Sequence, residues 1–473
     1  MTITVRDMTV RGVTLRDISA HLPRALTSLG AAVGAALALT PPSLPRVPLV
    51  EFAVLACLVV AGALFGAVAS GIMRVVGRCV GHRSPARTCP VAGSARVVAA
   101  AVCLSASIAM SAWNMLWENT LRDELGIGGL SWVWRVLFCT PVVAGYAAVA
   151  AVRGRRRHRA ALTPQRAATP TVAVTCATAV IATLIAGTVS CGSATGLSSG
   201  ATSSARSAAS PASGRSHAES FLTDSATPAS LRVYEPLDQR TMQDRARDAV
   251  KAWLTLGGAH RSTVVIAVPT GSGWVDPAAI AAFESRSRTD LSVIAVQYDS
   301  APSWESFLVH RTLAISSATA VTAAVLHALE AMPRGERPHV VLYGQSLGAV
   351  GADAARASVG GSRVCTTLLA GPPADSIAAD GLHRQVLVNR SDPVADWSPA
   401  LAWRPTRPTH QRVDTGTALR RPPWIPVASF ISRSIDLLSA RSFGSGVGHR
   451  YGPEQAQIRE QCLDHTTLRR DPR

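Results

Sequence analysis

The chain has 473 residues, a length that allows two or three domains. Its mean hydropathy of +0.21 is high for a wholly soluble protein. The formal net charge is +17, and all but one of the 47 basic residues are arginine. No basic and aromatic pattern of a nucleic-acid-binding module accompanies this charge, which argues against DNA or RNA as a partner. Much of the charge lies beside apolar segments, where it orients a protein in a membrane.

Five apolar segments occupy the first 191 residues. A helix needs about 20 apolar residues to cross the hydrocarbon layer, and the last four segments meet that length. The first is marginal, and the arginines before it also fit a signal peptide. The segments are about 25–40, 48–73, 97–116, 132–152 and 171–190.

Arginine-rich and arginine-poor connections alternate along these segments. The tail 1–24 and the connections at 78–96 and 153–166 are rich in arginine, and those at 41–47 and 118–129 are poor. The positive-inside rule predicts a cytoplasmic tail at 1–24, a bundle of about five helices at 25–191, and an external chain after it. A cleaved first segment would leave the same final orientation. Few ionisable groups lie at mid-depth, which favours a membrane anchor over a transporter.

A segment rich in Ser, Ala, Thr and Gly follows at 192–230 and predicts a flexible linker. From 231 to 473, continuous apolar runs alternate with helical patterns, which is typical of a parallel sheet covered by helices on both faces. The fold class predicted for this half is therefore an α/β domain with a mostly parallel sheet, after an all-α membrane bundle. The predicted strands are 263–268, 291–298, 340–343, 363–369 and 384–388, and the predicted helices are 237–254, 277–285, 312–332 and 348–358.

One apolar strand runs directly into a Gly-x-Ser-x-Gly sequence at 344–348. The order of strand, tight turn and helix is that of a nucleophilic serine on an elbow, which makes Ser346 the candidate nucleophile. Gly344 and Gly348 leave room for the neighbouring backbone at such a turn. A second match at 196–200, around Ser198, has neither the strand nor the helix and is set aside.

A serine nucleophile needs a histidine base and a carboxylate that orients it, in the chain order Ser, acid, His on this type of fold. Asp392 follows a predicted strand at its carboxyl end, where open α/β sheets place their sites. The alternative is that Asp392 before a proline simply forms a turn. Asp396 and Asp414 are the other candidate acids.

Three histidines follow Asp392 in the chain, namely His410, His449 and His465. His449 lies between glycines in a loop that could present its side chain to a cleft. A helix-like stretch then follows at 453–462. His410 lies in an Arg- and Pro-rich stretch, and His465 lies in the polar tail. His449 is therefore the predicted base.

An oxyanion hole requires two backbone N–H groups. We expect one from Leu347, directly after the serine, and one near Gly271, in a loop of small residues after an early strand. A phosphate-binding loop is excluded there because no Gly-Lys-Ser/Thr follows. Neither a cofactor nor a metal is expected, and Cys365 and Cys462 could equally form a disulfide or stay reduced.

These segments together resemble the actinobacterial membrane-anchored α/β-hydrolases that carry an N-terminal multi-span domain. The resemblance rests on segments 42–46, 270–277, 297–304, 344–348, 391–393 and 448–451. It implies an α/β-hydrolase fold in the second half and covers nearly the whole chain except the linker. Gln345 stands where that family often has an acidic residue.

The expected activity is that of a serine hydrolase tethered to the cell membrane, with its hydrolase domain outside the cytoplasm. Its expected partners are the lipid bilayer and a small-molecule or lipid ester, since lipid and cell-envelope esters are the substrates accessible there. Two alternatives stay open at this point. The same triad could serve an acyltransferase, or the fold could be a non-catalytic scaffold or binding domain.

Overall fold

The computed structural model divides into two compact units. The helical unit comprises Met1–Ser198 with Pro422–Ser432, and the sheet unit comprises Ser199–Arg421 with Arg433–Arg473. The structure describes residues 25–79, 90–131, 133, 211–223, 231–286, 290–379, 381, 383–407, 412–457 and 462.

Three helices form the described N-terminal part of the helical unit: α1 (Ala25–Ala38), α2 (Pro48–Cys79) and α3 (Pro90–Glu124). They coincide with the first three predicted apolar segments. Within α2 and α3, stretches of 29 residues each are long and apolar enough to cross a membrane, and α1 is shorter. The fourth and fifth predicted segments lie outside the described residues, apart from residue 133.

Glycines set the close approach of α1 to α2. A Cβ added at Gly30 would lie 2.1 Å from the Gly62 carbonyl oxygen, and one at Gly66 would lie 2.0 Å from that of Leu26. Small residues at four-residue spacing let two helix backbones touch, which replaces the hydrophobic driving force that is missing between helices in lipid. A larger side chain at Gly30 or Gly62 would therefore separate the two helices.

The connection after α1 is buried rather than solvated. The backbone N–H of Arg46 donates to Glu118 Oε1 at 3.0 Å, and its Nη2 donates to Ser432 Oγ at 2.8 Å. Arg122 also donates to Glu118 Oε1, at 2.9 Å. Because these charged groups are paired and hydrogen-bonded, their burial is tolerated. The network explains why Pro422–Ser432 belongs to the helical unit although it follows the sheet in sequence.

The sheet unit is built on a seven-stranded sheet in the order β1-β3-β2-β4-β5-β6-β7, with every neighbouring pair parallel. The all-parallel sheet confirms the predicted fold class. The strands are β1 (Leu231–Glu235), β2 (Thr263–Val268), β3 (Leu291–Val296), β4 (His339–Gln345), β5 (Thr366–Ala370), β6 (Arg384–Asn389) and β7 (Arg412–Thr415).

Helices cover this sheet, and the inner strands β2 and β3 are buried along their whole length. The helices of the sheet unit are α4 (Pro211–Thr223), α5 (Met242–Thr255), α6 (Pro277–Arg286), α7 (Ser303–Val309), α8 (Arg311–Glu330), α9 (Leu347–Val359) and α10 (Pro393–Asp396). A last helix, α11 (Ala428–Asp436), begins in the segment Pro422–Ser432 of the helical unit. Helix α8 is also apolar enough for a membrane span by composition. However, Val321 and Val325 are buried in the main core of the sheet unit, and the helix contacts β2 and β3, so α8 is a sheet-covering helix.

The predicted linker at 192–230 is wrong in part, because α4 lies within it. The helix is held by two contacts to β1. Phe221 packs against Tyr234 with ring centroids 5.5 Å apart, and Arg232 donates to the Phe221 carbonyl at 2.6 Å. Phe221 and Leu222 are apolar but lie among small and polar residues, so the composition of the segment does not reveal that it can pack against the sheet.

Three further differences concern element bounds. Strands β1 and β7 have no counterpart among the predicted strands. Helix α5 begins at Met242 rather than 237, since Thr241 caps it by accepting from the Asp244 N–H. The helix-like stretch at 453–462 is a single 3₁₀ turn, Pro453–Ala456, in its described part.

Cys365 and Cys462 form a disulfide with their Cα atoms 5.8 Å apart.

Candidate active site

Ser346 occupies a strained turn between β4 and α9. Its φ of 56° and ψ of −122° fall in a region that non-glycine residues rarely adopt. A Cβ at Gly344 would lie 2.2 Å from the Gly348 carbonyl oxygen, and one at Gly348 would lie 2.2 Å from that of Val268. Only glycine fits at both positions. The local geometry is therefore that of a nucleophile elbow, with the serine half-buried.

Asp392 and His449 meet although 57 positions separate them in sequence. Asp392 follows β6 at its carboxyl end and caps α10, accepting from the Val394 N–H at 2.9 Å. Its other oxygen, Oδ2, lies 2.8 Å from His449 Nδ1. Both side chains are buried, the carboxyl at 1% exposure. A carboxylate in this position fixes the imidazole so that Nε2 is left to act as a base.

Residues at and just after the end of β6 hold the backbone around His449. Asn389 Nδ2 donates to the carbonyls of Gly448 and Arg450, at 3.0 and 2.8 Å. The Gly448 N–H donates to Ser391 Oγ at 2.9 Å. These hydrogen bonds hold the residues on both sides of His449 and so fix the part of the loop that positions its imidazole.

Ser346 and His449 converge on the carboxyl end of β5. The Ser346 N–H donates to the Ala370 carbonyl at 2.8 Å. A Cβ at the next residue, Gly371, would lie 2.9 Å from His449 Cε1. Within the described residues, however, His449 Nε2 is buried without a hydrogen-bond partner. The structure thus brings acid and base into contact and the serine into their neighbourhood, without a Ser346–His449 hydrogen bond. Such bonds are often loose before substrate binds.

The two expected oxyanion donors come from different segments of the chain. Leu347 begins α9, and Gly271 lies in the loop after β2. Among the described residues, no backbone hydrogen bond uses either N–H. Within the same loop, the N–H groups of Thr270 and Gly273 are already occupied by Trp274 and Thr270 carbonyls. The N–H of Gly271 is therefore available in this loop, whereas those of Thr270 and Gly273 are not, and an oxyanion requires such a donor.

Two side chains from neighbouring strands brace this loop. Tyr234, on β1, donates its hydroxyl to the Gly273 carbonyl at 2.7 Å. Gln297, just after β3, donates to the Ser272 carbonyl at 3.3 Å. A Cβ at Gly273 would lie 2.7 Å from Gln297 Cδ, so the contact depends on the glycine. Sequence reasoning assigned no role to Tyr234 or Gln297, since only the strand order brings them to the loop.

Tyr451 is a further residue of the site to which the sequence assigned no role. Its hydroxyl donates to Asp392 Oδ2 at 2.6 Å, the oxygen that also contacts His449. Its ring stands edge-on to the imidazole, with centroids 5.9 Å apart. Burial, and then the charge of Asp392, raise the pKa of Tyr451 well above its usual value, so the hydroxyl stays protonated and donates. Asp392 therefore accepts three hydrogen bonds.

Replacing Tyr451 with phenylalanine should lower kcat for ester hydrolysis by about tenfold. The variant removes the hydroxyl that donates to Asp392 Oδ2, the oxygen that contacts His449 Nδ1, so the carboxylate is held less firmly towards the imidazole. A hydrogen bond to a charged group contributes about 1.5–3 kcal/mol, and the loss of part of this from the transition state gives about a tenfold effect. An unchanged kcat with lowered thermal stability would mean that Tyr451 only packs. Tyr298→Phe, which removes another buried tyrosine hydroxyl, is the control.

The other candidate acids have different partners. Asp396 lies 3.7 Å from Arg412 and 3.9 Å from Arg433, and Asp414 lies 2.8 Å from Arg412. Neither contacts a described histidine. His410, His465 and Ser198 lie outside the described residues. No group of three metal-ligating side chains occurs within the part of the chain that the structure describes.

Comparison with known protein families gives a match in each half of the chain. A model described as an alpha/beta-hydrolase family matches residues 231–385 and 380–471, just over half of the chain. A second, described as the N-terminus of an alpha/beta-hydrolase family, matches residues 39–240. No curated protein and no solved structure matches the chain. The elbow and the parallel sheet agree with these matches. The chain belongs to this alpha/beta-hydrolase family and carries the family's N-terminal region as well.

Proposed function

We propose that the chain is a membrane-tethered serine hydrolase that cleaves ester bonds outside the cytoplasm. The observation that carries the proposal is the hydrogen bond between His449 and Asp392 beside a serine at positive φ. A strained serine on an elbow is costly to fold, and an imidazole aligned by a buried carboxylate serves a nucleophile. Together they support Ser346, His449 and Asp392 as nucleophile, base and orienting acid.

The proposed reaction proceeds in two acyl transfers. Ser346 Oγ attacks the ester carbonyl while His449 Nε2 accepts its proton, and Asp392 stabilises the imidazolium. The N–H groups of Leu347 and Gly271 receive the oxyanion of the tetrahedral intermediate. The imidazolium then protonates the departing alcohol and leaves an acyl-serine. Water, deprotonated by His449, releases the acid in the same way and restores the serine.

The external location rests on two independent features. Arginine alternates between the connections of the apolar segments, as the positive-inside rule requires for an external second half. The Cys365–Cys462 disulfide supports the same side, because disulfides persist in oxidising compartments. From that side of a membrane, lipid and cell-envelope esters are the substrates that a tethered hydrolase can reach.

The disulfide should be intact in protein taken directly from membranes. Alkylation under denaturing conditions without reductant should leave Cys365 and Cys462 unmodified, and reductant should expose both to the reagent. Cys57 and Cys103, which are free thiols, serve as internal controls. Replacing the pair with alanines should cost about 2–5 kcal/mol of unfolding free energy, because the bond closes a long loop. Alkylation without reductant would contradict the external location.

Ester turnover tests the proposal. Full-length protein in detergent should hydrolyse 4-nitrophenyl butyrate, and a fluorophosphonate should abolish turnover at one equivalent per active chain. With glycerol present, the products distinguish free butyrate from glyceryl butyrate, and predominant transfer to glycerol would assign an acyltransferase. Folded protein that neither turns over the ester nor reacts with the fluorophosphonate would contradict the proposal and indicate a binding domain on a hydrolase fold.

A further inference from the structure

Two residues connect the loop of the base to the loop of the oxyanion donor. Trp274 closes the oxyanion loop, because its carbonyl accepts from the Thr270 N–H at 2.9 Å, directly before Gly271. Arg441 follows Ala440, whose carbonyl accepts from the His449 N–H at 2.6 Å. The guanidinium of Arg441 lies over the Trp274 ring, with Cζ 4.9 Å from the centroid. A positive charge at the protein surface therefore stands between the two loops that serve the proposed reaction.

This cation has no carboxylate of its own. Within the described chain Arg441 forms no ion pair, and the acid that attracts it, Asp276, is engaged elsewhere. Gln455 Nε2 donates to one Asp276 oxygen at 2.8 Å, and the Ala278 N–H donates to the other at 2.9 Å. Contact with an indole face holds a guanidinium without using its N–H groups. Those donors stay available for an anion.

A second arginine, Arg450, adds positive charge near Arg441. Arg450 follows His449 directly, is exposed, and forms no ion pair with a described carboxylate. Both arginines are exposed, and the charge of Arg450 repels that of Arg441. Like charges held near one another are unfavourable unless an anion lies nearby, and guanidinium groups bind carboxylate and phosphate by paired hydrogen bonds.

We propose that Arg441, held on Trp274 and assisted by Arg450, is an anion-binding subsite for the substrate of Ser346. The ester carries a phosphate or carboxylate group close to the scissile bond. This inference rests on the proposed serine hydrolase function and narrows its substrate class from esters in general to anionic esters. Arg441 contacts the anionic group and takes no part in proton transfer.

Labelling rates of Ser346 test the subsite without a known substrate. Three fluorophosphonates of equal chain length would end in a methyl ester, a carboxylate or a phosphate, each in a short and a long form. The second-order rate constants are measured on full-length protein in neutral detergent at fixed ionic strength. For at least one length, an anionic probe should react about tenfold faster than its methyl ester, the gain from roughly one charge-assisted hydrogen bond. The faster end group identifies the anion as carboxylate or phosphate.

Arg441→Gln should bring the rate ratio of anionic to neutral probe near one. Arg441→Lys, which keeps the charge, should restore part of the preference. Arg334→Gln is the matched control, since Arg334 is exposed and precedes the amino end of β4, at the opposite edge of the sheet. Equal rates for all end groups, or a preference that survives Arg441→Gln, would overturn the subsite alone. Absence of labelling by every probe would instead overturn the proposed hydrolase.

Discussion

Replacing Ser346 with alanine is expected to lower kcat for ester hydrolysis by about 10⁴-fold or more, since removal of a serine nucleophile takes away the acyl-enzyme route altogether. KM should change little, because the oxyanion donors of Leu347 and Gly271 are backbone groups that the substitution leaves in place. Alanine also fits the volume of the serine, so the elbow should persist. The measurement is steady-state turnover of 4-nitrophenyl butyrate by purified full-length protein.

Ser198→Ala is the matched control, because Ser198 stands in the second Gly-x-Ser-x-Gly sequence of the same chain. It should retain full activity. Both variants should melt at the temperature of the native protein, which separates loss of chemistry from loss of fold. Ser346→Ala protein that keeps activity while Ser198→Ala loses it would contradict the account and move the nucleophile to the segment before α4.

Replacing Asp392 with asparagine is expected to lower kcat by about 10⁴-fold, the loss seen when the acid of a serine triad becomes an amide. The amide would present N–H groups as well as an oxygen to His449 Nδ1, so the ring could settle in the wrong tautomer. It would also no longer stabilise the imidazolium that forms during attack. The amide oxygen can still accept from the Val394 N–H, and the amide NH2 can donate to the Tyr451 hydroxyl, so the loop should stay folded.

Asp414→Asn controls for the loss of a carboxylate nearby. Asp414 lies on β7 at the protein surface and pairs with Arg412 and Arg421, contacts that contribute little to stability in water. Its activity should stay within about twofold of native, since exposed ion pairs contribute about 0–1 kcal/mol. Equal loss in both variants would mean that Asp392 has no special role. A change in KM alone would assign Asp392 to substrate binding instead.

The sheet was predictable where a strand is buried on both faces. Strand β2 matches its prediction at both ends, since six apolar or β-branched residues run without interruption from Thr263 to Val268. Strand β1 was not predicted because Arg232 interrupts its apolar pattern. In the structure the guanidinium is buried against Glu284, with Nε 2.6 Å from Oε1, and a partner 52 positions away cannot be read from local pattern. Strand β7 is short and exposed at the sheet edge, so it carries almost no apolar signal.

The site was predictable to the extent that chain order constrains it. The elbow has a local sequence, and the order of Ser, Asp and His limits the choice of partners to a few residues. Residues that act through a fold contact were not predictable. Tyr451 reaches Asp392 across 59 positions, and Gly371 matters only because the imidazole lies over it. The glycine at the end of β5, followed by two prolines, was the one local signal for such a close approach.

The central claim is that Ser346 is a reactive nucleophile, and one measurement tests it most directly. Full-length protein is treated with a fluorophosphonate in detergent, digested, and the peptides are sequenced by mass spectrometry. The account predicts a single adduct on Ser346, at one equivalent per chain, that is absent when the protein is unfolded before treatment. An adduct on Ser198 or on another serine, or a folded protein that carries no adduct, would contradict it.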